Sequence, residues 1–298
     1  MTERGARPAA IFLNEGAGSA RAARTRRAVE VARRALDADL HVTRTRDPVE
    51  LATWLGERVS DYETVVVAGG DGSLAAAYNA LRGRSLALGY IPAGFGNATA
   101  HLLRLPRHPA ALAQVLATGE ARLVDLLHLE ADGVDRLALF AGVGWDALVA
   151  DRYAAAGSRG LAGWATAITR SLPDLVRRTP VLVEVDGVVA HEGPMEMLAI
   201  GTTPYYGRGL LVNPGARPDA GRLTARVYRG PLPAFALDAA RWLVRRAPGD
   251  VPLRGTSIRV RTLDGRPLPV ESDGDSLGRR DSWTATLARG AVRLIGNW

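Results

Sequence analysis

The chain has 298 residues, 47% hydrophobic and 23% charged, which is typical of a globular protein with one large or two ordinary domains. It has no cysteine, and its 38 basic residues are all arginine, which excludes disulfides, thiolate nucleophiles, a P-loop lysine and a Schiff-base lysine. The net charge of +7 is spread along the chain rather than concentrated in patches interleaved with aromatic residues, so no nucleic-acid partner is predicted.

The first 120 residues alternate between strand-like and helix-like patterns. Residues 65–67 are three valines, and glycines follow at positions 69 and 70. This pattern is typical of a strand buried on both faces. Strands are predicted over residues 9–13, 39–45, 65–67 and 86–91. A first helix is predicted to end near residue 36, and further helices are predicted over residues 48–59, 73–81 and 109–119. This alternation predicts an α/β domain, residues 1–122, with a Rossmann-like parallel sheet covered by helices.

Three glycine-rich turns follow the first, third and fourth predicted strands. They occupy residues 14–19, 69–73 and 92–98. Because parallel strands end at one edge of their sheet, we expect the turns to converge there. Backbone amides in such turns, at the start of a helix, bind anions, so the sequence predicts a phosphate site. Asp71 is the carboxylate of the middle turn, and a cation between it and a phosphate would explain its presence.

The rest of the chain, residues 123–298, has the pattern of a mainly antiparallel β-sandwich domain. Strands are predicted over residues 120–131, 136–141, 181–189, 195–202, 222–228, 257–263 and 283–287. Two helices, near residues 161–176 and 235–243, carry an apolar stripe with a tryptophan and are followed by two arginines. We interpret both stripes as facing the core, with a membrane interface as the alternative.

Six short blocks follow one another in a fixed order along most of the chain. They are residues 14–18, 69–73 with Asn79, 92–98, 142–147, 214–223 and 273–275. Their sequences and spacing resemble the signatures of the diacylglycerol kinase catalytic-domain family, among them Gly-Gly-Asp-Gly-Thr, Pro-x-Gly-Thr-Gly-Asn-Asp and Asp-Gly-Glu. That family includes bacterial lipid kinases, sphingosine kinases and ceramide kinases. The resemblance implies phosphoryl transfer from ATP to a hydroxyl of a diacylglycerol-like or sphingoid-like lipid.

The resemblance also implies roles for particular residues. Asp275 would be the general base on the lipid hydroxyl, Asp146 would contact the substrate, and Asp71 would be a catalytic residue that also holds Mg²⁺. The residues that would line the ATP phosphates are Asn14, Gly69, Gly70, Gly72, Ser73, Gly94, Gly96 and Asn97. Because the acids fall in both predicted domains, the active site is expected in an interdomain cleft.

Several positions depart from the family pattern. Glu15 stands where the family has proline, Phe95 stands where a hydroxyl side chain is usual, and Asp275 is one methylene shorter than the family's glutamate. Ala220 and Thr224 replace two acids in a loop that binds a structural magnesium in bacterial members. We therefore do not expect that structural metal, although ATP with Mg²⁺ remains the predicted cofactor pair.

Two alternatives to a lipid kinase remain open. One is a relative that binds lipid or nucleotide without catalysis, because the departures accumulate near the predicted site. The other is an NAD kinase-like enzyme, which shares the Gly-Gly-Asp-Gly motif. The predicted partners are ATP and a lipid at a membrane surface, with a homodimer left open. The start of the chain has no long apolar segment, which predicts a cytoplasmic protein, with peripheral attachment to the inner face of the membrane as a further option.

Overall fold

A computed structural model describes residues 9–43, 48–156, 160–229, 232–244, 246 and 251–298. Residues 44 and 45 of the predicted second strand therefore lie outside the described residues. The chain divides into two compact units, Met1–Val124 with Gly290–Trp298, and Asp125–Arg289. No helix among the described residues is long and apolar enough to cross a bilayer.

The first unit alternates strands and helices in the predicted order. Its strands begin with β1 (Ala9–Asn14), β2 (Asp39–Thr43), β3 (Thr64–Gly69) and β4 (Ala87–Pro92). Its helices are α1 (Ala23–Leu36), α2 (Pro48–Arg58), α3 (Asp71–Ala80), α4 (Ala98–Leu102) and α5 (Pro109–Thr118). The alternation expected from the sequence is confirmed here.

The second unit is built mainly from strands. They are β5 (Glu120–Ala131), β6 (Val134–Ala138), β7 (Phe140–Gly144), β8 (Thr179–Val185), β9 (Val188–Met195), β10 (Met197–Gly201), β11 (Tyr205–Tyr206), β12 (Leu210–Leu211), β13 (Leu223–Tyr228), β14 (Leu253–Gly255), β15 (Ser257–Thr262), β16 (Leu268–Ser272), β17 (Asp275–Arg280) and β18 (Ser282–Gly296). Its helices are α6 (Trp145–Ala155), α7 (Gly160–Ser171) and α8 (Leu232–Leu243). Short 3-10 helices cover Val59–Asp61, Leu172–Val176 and Gly207–Gly209.

The sheet of the first unit is parallel, in the order β2-β1-β3-β4-β18. The valines at 65–67 have no exposed surface and pair on both sides, Val66 with Ile11 of β1 and with Gly89 of β4. β-branched residues suit a strand that is buried on both faces. At the end of the chain, Arg293 and Leu294 of β18 pair in parallel with β4. This pairing is why residues 290–298 belong to the first unit, although residues 123–298 were predicted as one domain.

The second unit contains two antiparallel sheets around a shared core. One has the order β14-β13-β10-β7-β16-β17, and the other includes β18, β15, β8 and β9. Side chains from both sheets, such as Val143, Leu198 and Val260, form one buried cluster. This arrangement confirms the predicted β-sandwich.

The predicted strand 181–189 is two strands, β8 and β9, because Asp186 and Gly187, within the turn signal at residues 185–187, adopt positive φ and turn the chain. The predicted helix 161–176 is confirmed, as the α-helix α7 up to Ser171 and a 3-10 helix after it. The hairpin of β16 and β17 was not predicted, because β17 is polar and mostly exposed.

The apolar stripe of α7 does not face the core. Leu161 is 67% exposed and Ile168 is 40% exposed, and Val176 in the following 3-10 helix is 71% exposed. The buried positions of α7 are instead small, at Gly163, Ala167 and Ser171. The core-facing interpretation of this helix is therefore wrong, because small residues allow close packing and leave the large apolar side chains outside. In α8, by contrast, Phe235 and Trp242 are buried, as expected.

Candidate active site

The three glycine-rich turns of the first unit come together in the structure. The amide of Ala93 donates to the carbonyl of Gly69 at 2.7 Å, and the amide of Ser19 donates to the carbonyl of Ala93 at 2.7 Å. The turns after β1, β3 and β4 are thus connected directly by backbone hydrogen bonds. The convergence predicted from the strand order is confirmed.

Two glycines are needed in these turns. A Cβ on Gly94 would lie 2.6 Å from Cα of Gly70, so Gly94 allows the third turn to pack against the second. A Cβ on Gly69 would lie 2.6 Å from Cβ of Ser73, so Gly69 allows the second turn to bend tightly into α3.

The first turn of α3 presents backbone amides at the joined turns. Gly70 is the N-cap of α3, and its carbonyl accepts hydrogen bonds from the amides of Ser73 and Leu74. The amides of Asp71 and Gly72 precede the first intrahelical bonds, since the first residues of a helix have no carbonyl one turn before them. Such amides, together with the helix dipole, form a site suited to a phosphate.

The two asparagines of the predicted site shape its backbone. Asn14 donates from Nδ2 to Ser73 Oγ at 3.2 Å and accepts the amide of Gly16 at 2.8 Å. Asn97 has a left-handed backbone with φ 47°. Its Oδ1 accepts the amide of Gly94 and the Tyr90 hydroxyl, both at 2.9 Å. Each asparagine thus holds a turn in place through its own side chain.

Asp71 caps the N-terminus of α4. One oxygen accepts the amide of Ala98 at 3.0 Å, and the other accepts the amide of Thr99 at 3.1 Å. Burial raises the pKa of the Asp71 carboxyl, and the hydrogen bonds from Thr99 and Ala98 oppose that rise. The carboxylate therefore connects the start of α3 to the start of α4. Each oxygen accepts one amide and keeps a further lone pair.

Asp275, the predicted general base, is the first residue of β17 in the second unit. Its side chain is 50% exposed, and Arg136 donates from Nη2 to Oδ2 at 2.7 Å. In the hairpin it pairs with Ser272 of β16. The structure thus places this carboxylate at an accessible position beside a guanidinium group.

Asp146, the predicted substrate contact, lies in the first turn of α6 and meets a second acid, Glu271 of β16. A Cβ on Gly142 would overlap the Asp146 carboxylate and would lie 2.7 Å from Glu271 Oε1, so both carboxyls lie against this glycine of β7. Glu271 is 3% exposed and accepts the amide of Gly274 at 2.9 Å. Neither oxygen of Asp146 has a hydrogen-bond partner within the described parts of the chain, and both are buried.

The environment of these two acids favours their protonated forms. Burial raises the pKa of Asp146 from an ordinary 3.8 to about 8, against the influence of the amides of Ala147 and Asp146 itself. Burial, and then the charge of Asp146, raise the pKa of Glu271 well above its usual value. Asp273 is also buried, but its carboxylate accepts the amides of Leu139 and Phe140 at 3.1 and 3.2 Å.

Glu271 was not identified from the sequence. It lies in an apolar strand, after Pro269 and Val270, and four residues before Asp275. A glutamate flanked by buried positions in a strand was the available signal. Only the fold brings it to Asp146, which is far away in the chain.

The loop of residues 213–221 contains one acid, Asp219, which lies beside an arginine. The carboxylate of Asp219 is held by Arg217 at 2.9 and 3.0 Å, and Ala220 and Thr224 stand where the family has acids. Asp125 accepts the amide of Gly221 at 2.8 Å. Within the described residues, no group of three or more His, Asp or Glu side chains could hold a metal ion.

Comparison with known proteins supports the resemblance. Residues 8–129 match the diacylglycerol kinase catalytic domain. A protein of Xanthomonas euvesicatoria pv. vesicatoria named "Probable lipid kinase YegS-like" is 32% identical over 259 residues, which cover 82% of each chain. The chain belongs to the diacylglycerol kinase catalytic-domain family. A diacylglycerol kinase of Mycobacterium tuberculosis is 33% identical over 165 residues.

The extent of these matches differs between relatives. The match to the Mycobacterium tuberculosis enzyme covers 54% of this chain and 53% of that protein, so the chain spans about half the length of that curated relative. The crystal structure of a diacylglycerol kinase from Bacillus anthracis str. Sterne covers 98% of this member of the family, with a TM-score of 0.73 and 19% identity. At that identity the likeness concerns the fold alone.

Proposed function

We propose that the protein transfers the γ-phosphoryl group of ATP to a hydroxyl of a membrane lipid. The observation that carries the proposal is the joining of three glycine-rich turns at the start of α3, in a chain that belongs to the diacylglycerol kinase catalytic-domain family. Phosphoryl transfer depends mainly on positioning the phosphates and neutralising their charge. A preformed backbone frame can do this without the lysine that the chain lacks.

In this proposal the phosphates of ATP bind at the amides of the turns that contain Gly69, Gly72 and Gly94. Asn14, Ser73 and Asn97 keep the turns in the required conformation through the hydrogen bonds described above. Mg²⁺ would arrive with the nucleotide and neutralise part of the phosphate charge. Asp71 holds α4 against α3, so that the second and third turns keep their spacing.

The acceptor chemistry is proposed for the second unit. The lipid hydroxyl gives its proton to Asp275, its oxygen forms a bond to the γ-phosphorus, and the bond to the β–γ bridging oxygen breaks to release ADP. Asp275 is accessible, as a general base requires. The ion pair with Arg136 restrains the carboxylate, which has a shorter reach than the family's glutamate.

A lipid acceptor at a membrane surface is supported by the relatives' names and by α7. Leu161 and Ile168 of this helix are exposed, and Arg170 lies in its last turn. An exposed apolar stripe with basic residues near its end suits the interface of a bilayer. Two relatives, a diacylglycerol kinase and a probable lipid kinase, favour a lipid over a soluble acceptor.

The test is phosphate transfer from γ-³²P-labelled ATP to a panel of acceptors with the purified full chain. The panel contains 1,2-dioctanoylglycerol, sphingosine, extracted membrane lipids and NAD, each with and without Mg²⁺. Labelled lipid product is the expected result. Labelled NADP would support the NAD kinase-like alternative instead. ATP binding without any labelled product would support a binding protein that has lost catalysis.

A further inference from the structure

A cleft of about 610 Å³ opens in the first unit, at the edge of its sheet opposite to the glycine-rich turns. Arg84, just before β4, lines it, and so does Arg293 of β18. Arg293 pairs in parallel with Ala87, the first residue of β4, so the cleft lies at the amino end of that strand. The turn with Gly94 follows the other end, about 20 Å away along six extended residues. The cleft is therefore separate from the phosphate site proposed for ATP.

Three arginines from three different elements line this cleft. Arg84 belongs to the turn between α3 and β4, Arg122 belongs to β5, and Arg293 belongs to β18. Glu120 is the one acid of the lining. Arg84 and Arg293 are exposed, and within the described residues neither side chain has a hydrogen bond or an ion pair. The lining therefore has an excess of two positive charges, held by backbone segments that are far apart in the sequence.

Arg122 is held in position from two sides. Its Nη2 donates to Glu120 Oε2 at 2.7 Å, and its Cζ lies 5.6 Å from the ring centroid of Trp298. The indole of Trp298 donates in turn from Nε1 to the carbonyl of Glu120 at 3.0 Å. A ligand would thus meet one guanidinium group that is already oriented, which lowers the conformational entropy lost on binding. The other two arginines can turn toward it.

The chemistry of the lining favours a phosphate monoester among small anions. A guanidinium group donates two parallel hydrogen bonds to a phosphate or a carboxylate. A carboxylate carries one negative charge, whereas a phosphate monoester carries about −1.5 to −2 at pH 7, which matches the two arginines without a partner. Leu123, 60% exposed, also lines the cleft and offers an apolar contact to an organic group. The volume lies within the range of about 300–1,000 Å³ that is usual for small-molecule sites.

We propose that this cleft, named the Arg84–Arg293 cleft, binds the phosphate monoester group of an organic ligand. Arg84 and Arg293 donate to the phosphate oxygens, and Leu123 contacts the organic part. A soluble phosphorylated compound and a lipid headgroup can both present this group. The proposal goes beyond the proposed function and does not depend on it, because it uses no residue of the glycine-rich turns or of the second unit.

The experiment measures binding of two probes to the full chain, with a non-hydrolysable ATP analogue present in excess to occupy the nucleotide site. Glycerol 3-phosphate is titrated by calorimetry. Phosphatidylcholine vesicles containing phosphatidic acid are tested by co-sedimentation, with vesicles containing phosphatidylglycerol, a phosphate diester, as the comparison. The double variant Arg84→Gln/Arg293→Gln should weaken binding of the monoester probe about 10–100-fold, as expected for lost hydrogen bonds between charged groups.

The matched control is the double variant Arg259→Gln/Arg261→Gln, which removes two exposed arginines of β15 in the second unit and should leave binding unchanged. A further double variant, Arg84→Lys/Arg293→Lys, keeps the charge but loses the paired donors, and should weaken binding less than the glutamine variant. All three variants should keep the melting temperature of the wild type, because they replace exposed side chains. The readout is the difference between variants, since α7 could also bring the protein to a vesicle.

Binding of glycerol 3-phosphate that depends on Arg84 and Arg293 would support a soluble ligand. Dependence on these arginines with phosphatidic acid vesicles alone would support a lipid headgroup. Absence of binding of both probes to the wild type would overturn the proposal. Equal weakening in the β15 control, or wild-type affinity in the lysine variant, would also overturn it, because net charge alone would then explain the binding. Failure to phosphorylate any lipid would refute the proposed function and leave these outcomes unaffected.

Discussion

Asp71 in the first unit and Asp146 in the second are both partly buried aspartates near the start of a helix, yet their surroundings differ. Both oxygens of Asp71 accept backbone amides, whereas the oxygens of Asp146 have no hydrogen-bond partner in the described structure. The carboxylate of Asp71 supplies the hydrogen-bond acceptors for the amides at the start of α4. The second adds no hydrogen bond to the fold, and its environment favours protonation.

The difference indicates how each region would meet its ligand. The turns of the first unit form a closed network in which side chains hold the backbone and the backbone provides the amides that bind phosphate. The carboxylate oxygens of Asp146 instead are buried without a hydrogen-bond partner within the described residues. Rigid frames suit a nucleotide whose phosphates always have the same geometry, and uncompensated side chains suit a group that brings its own hydrogen bonds.

The largest effect is expected at Asp275, whose carboxylate is half exposed and lies neither in the glycine-rich turns nor in the Asp146–Glu271 pair. Asp275→Asn should lower kcat for lipid phosphorylation about 10²–10⁴-fold, because a positioned general base contributes that much. The matched control is Asp219→Asn, which also removes an exposed carboxylate paired with an arginine. Equal activity in the two variants, measured with labelled ATP, would remove Asp275 from the mechanism.

Removing the carboxylate of Asp71 should lower the free energy of unfolding more than removing that of Asp146. Asp71→Ala leaves the amides of Ala98 and Thr99 without their acceptor, and we expect a loss of about 2–3 kcal/mol in the free energy of unfolding. Urea denaturation measures the change, with Asp146→Ala as the comparison at the same pH. If Asp146→Ala loses more free energy of unfolding than Asp71→Ala at pH 7, the carboxylate of Asp146 stabilises the fold more than that of Asp71, and the expected difference is contradicted.

The close packing of the turns can be tested at one glycine. Gly94→Ala places a methyl group against Gly70 and should destabilise the protein by about 1–3 kcal/mol. It should also raise KM for ATP. Gly56→Ala is the control, because this glycine lies in α2 with nothing within 4 Å of the added methyl, and it should raise stability by about 0.5–1 kcal/mol. Similar losses in both variants would argue against a packed frame.

Replacing Asp146 should also change the pH dependence of stability. The pKa of Asp146 is raised from 3.8 to about 8, so the folded state binds more protons than the unfolded state between these values. Its contribution to stability is therefore greatest below pH 3.8 and falls by at most about 1.4 kcal/mol per pH unit as pH rises. Asp146→Asn should flatten this fall in urea titrations at pH 5, 6, 7 and 8. A steeper fall in the variant would contradict the raised pKa.

Much of the first unit follows from local sequence. Runs such as residues 65–67 predict buried strands, and glycines after each strand predict the turns. The convergence of the turns follows because a parallel sheet brings strand ends to one edge. The direction of α7 was not predictable in this way, because the apolar stripe is visible in the sequence but the buried face depends on the small residues Gly163 and Ala167, which pack only against a particular neighbour.

The sequence by itself determined the order of strands and helices in the first unit, the position of the glycine turns and the family, because these depend on residues close together in the chain. Only the tertiary structure decided that Asp71 caps a helix 27 residues further on, that Glu271 meets Asp146, and that residues 290–298 return to the first sheet. These depend on which distant backbone groups and side chains come into contact, and hydrogen-bonding and burial at such distances are properties of the completed fold.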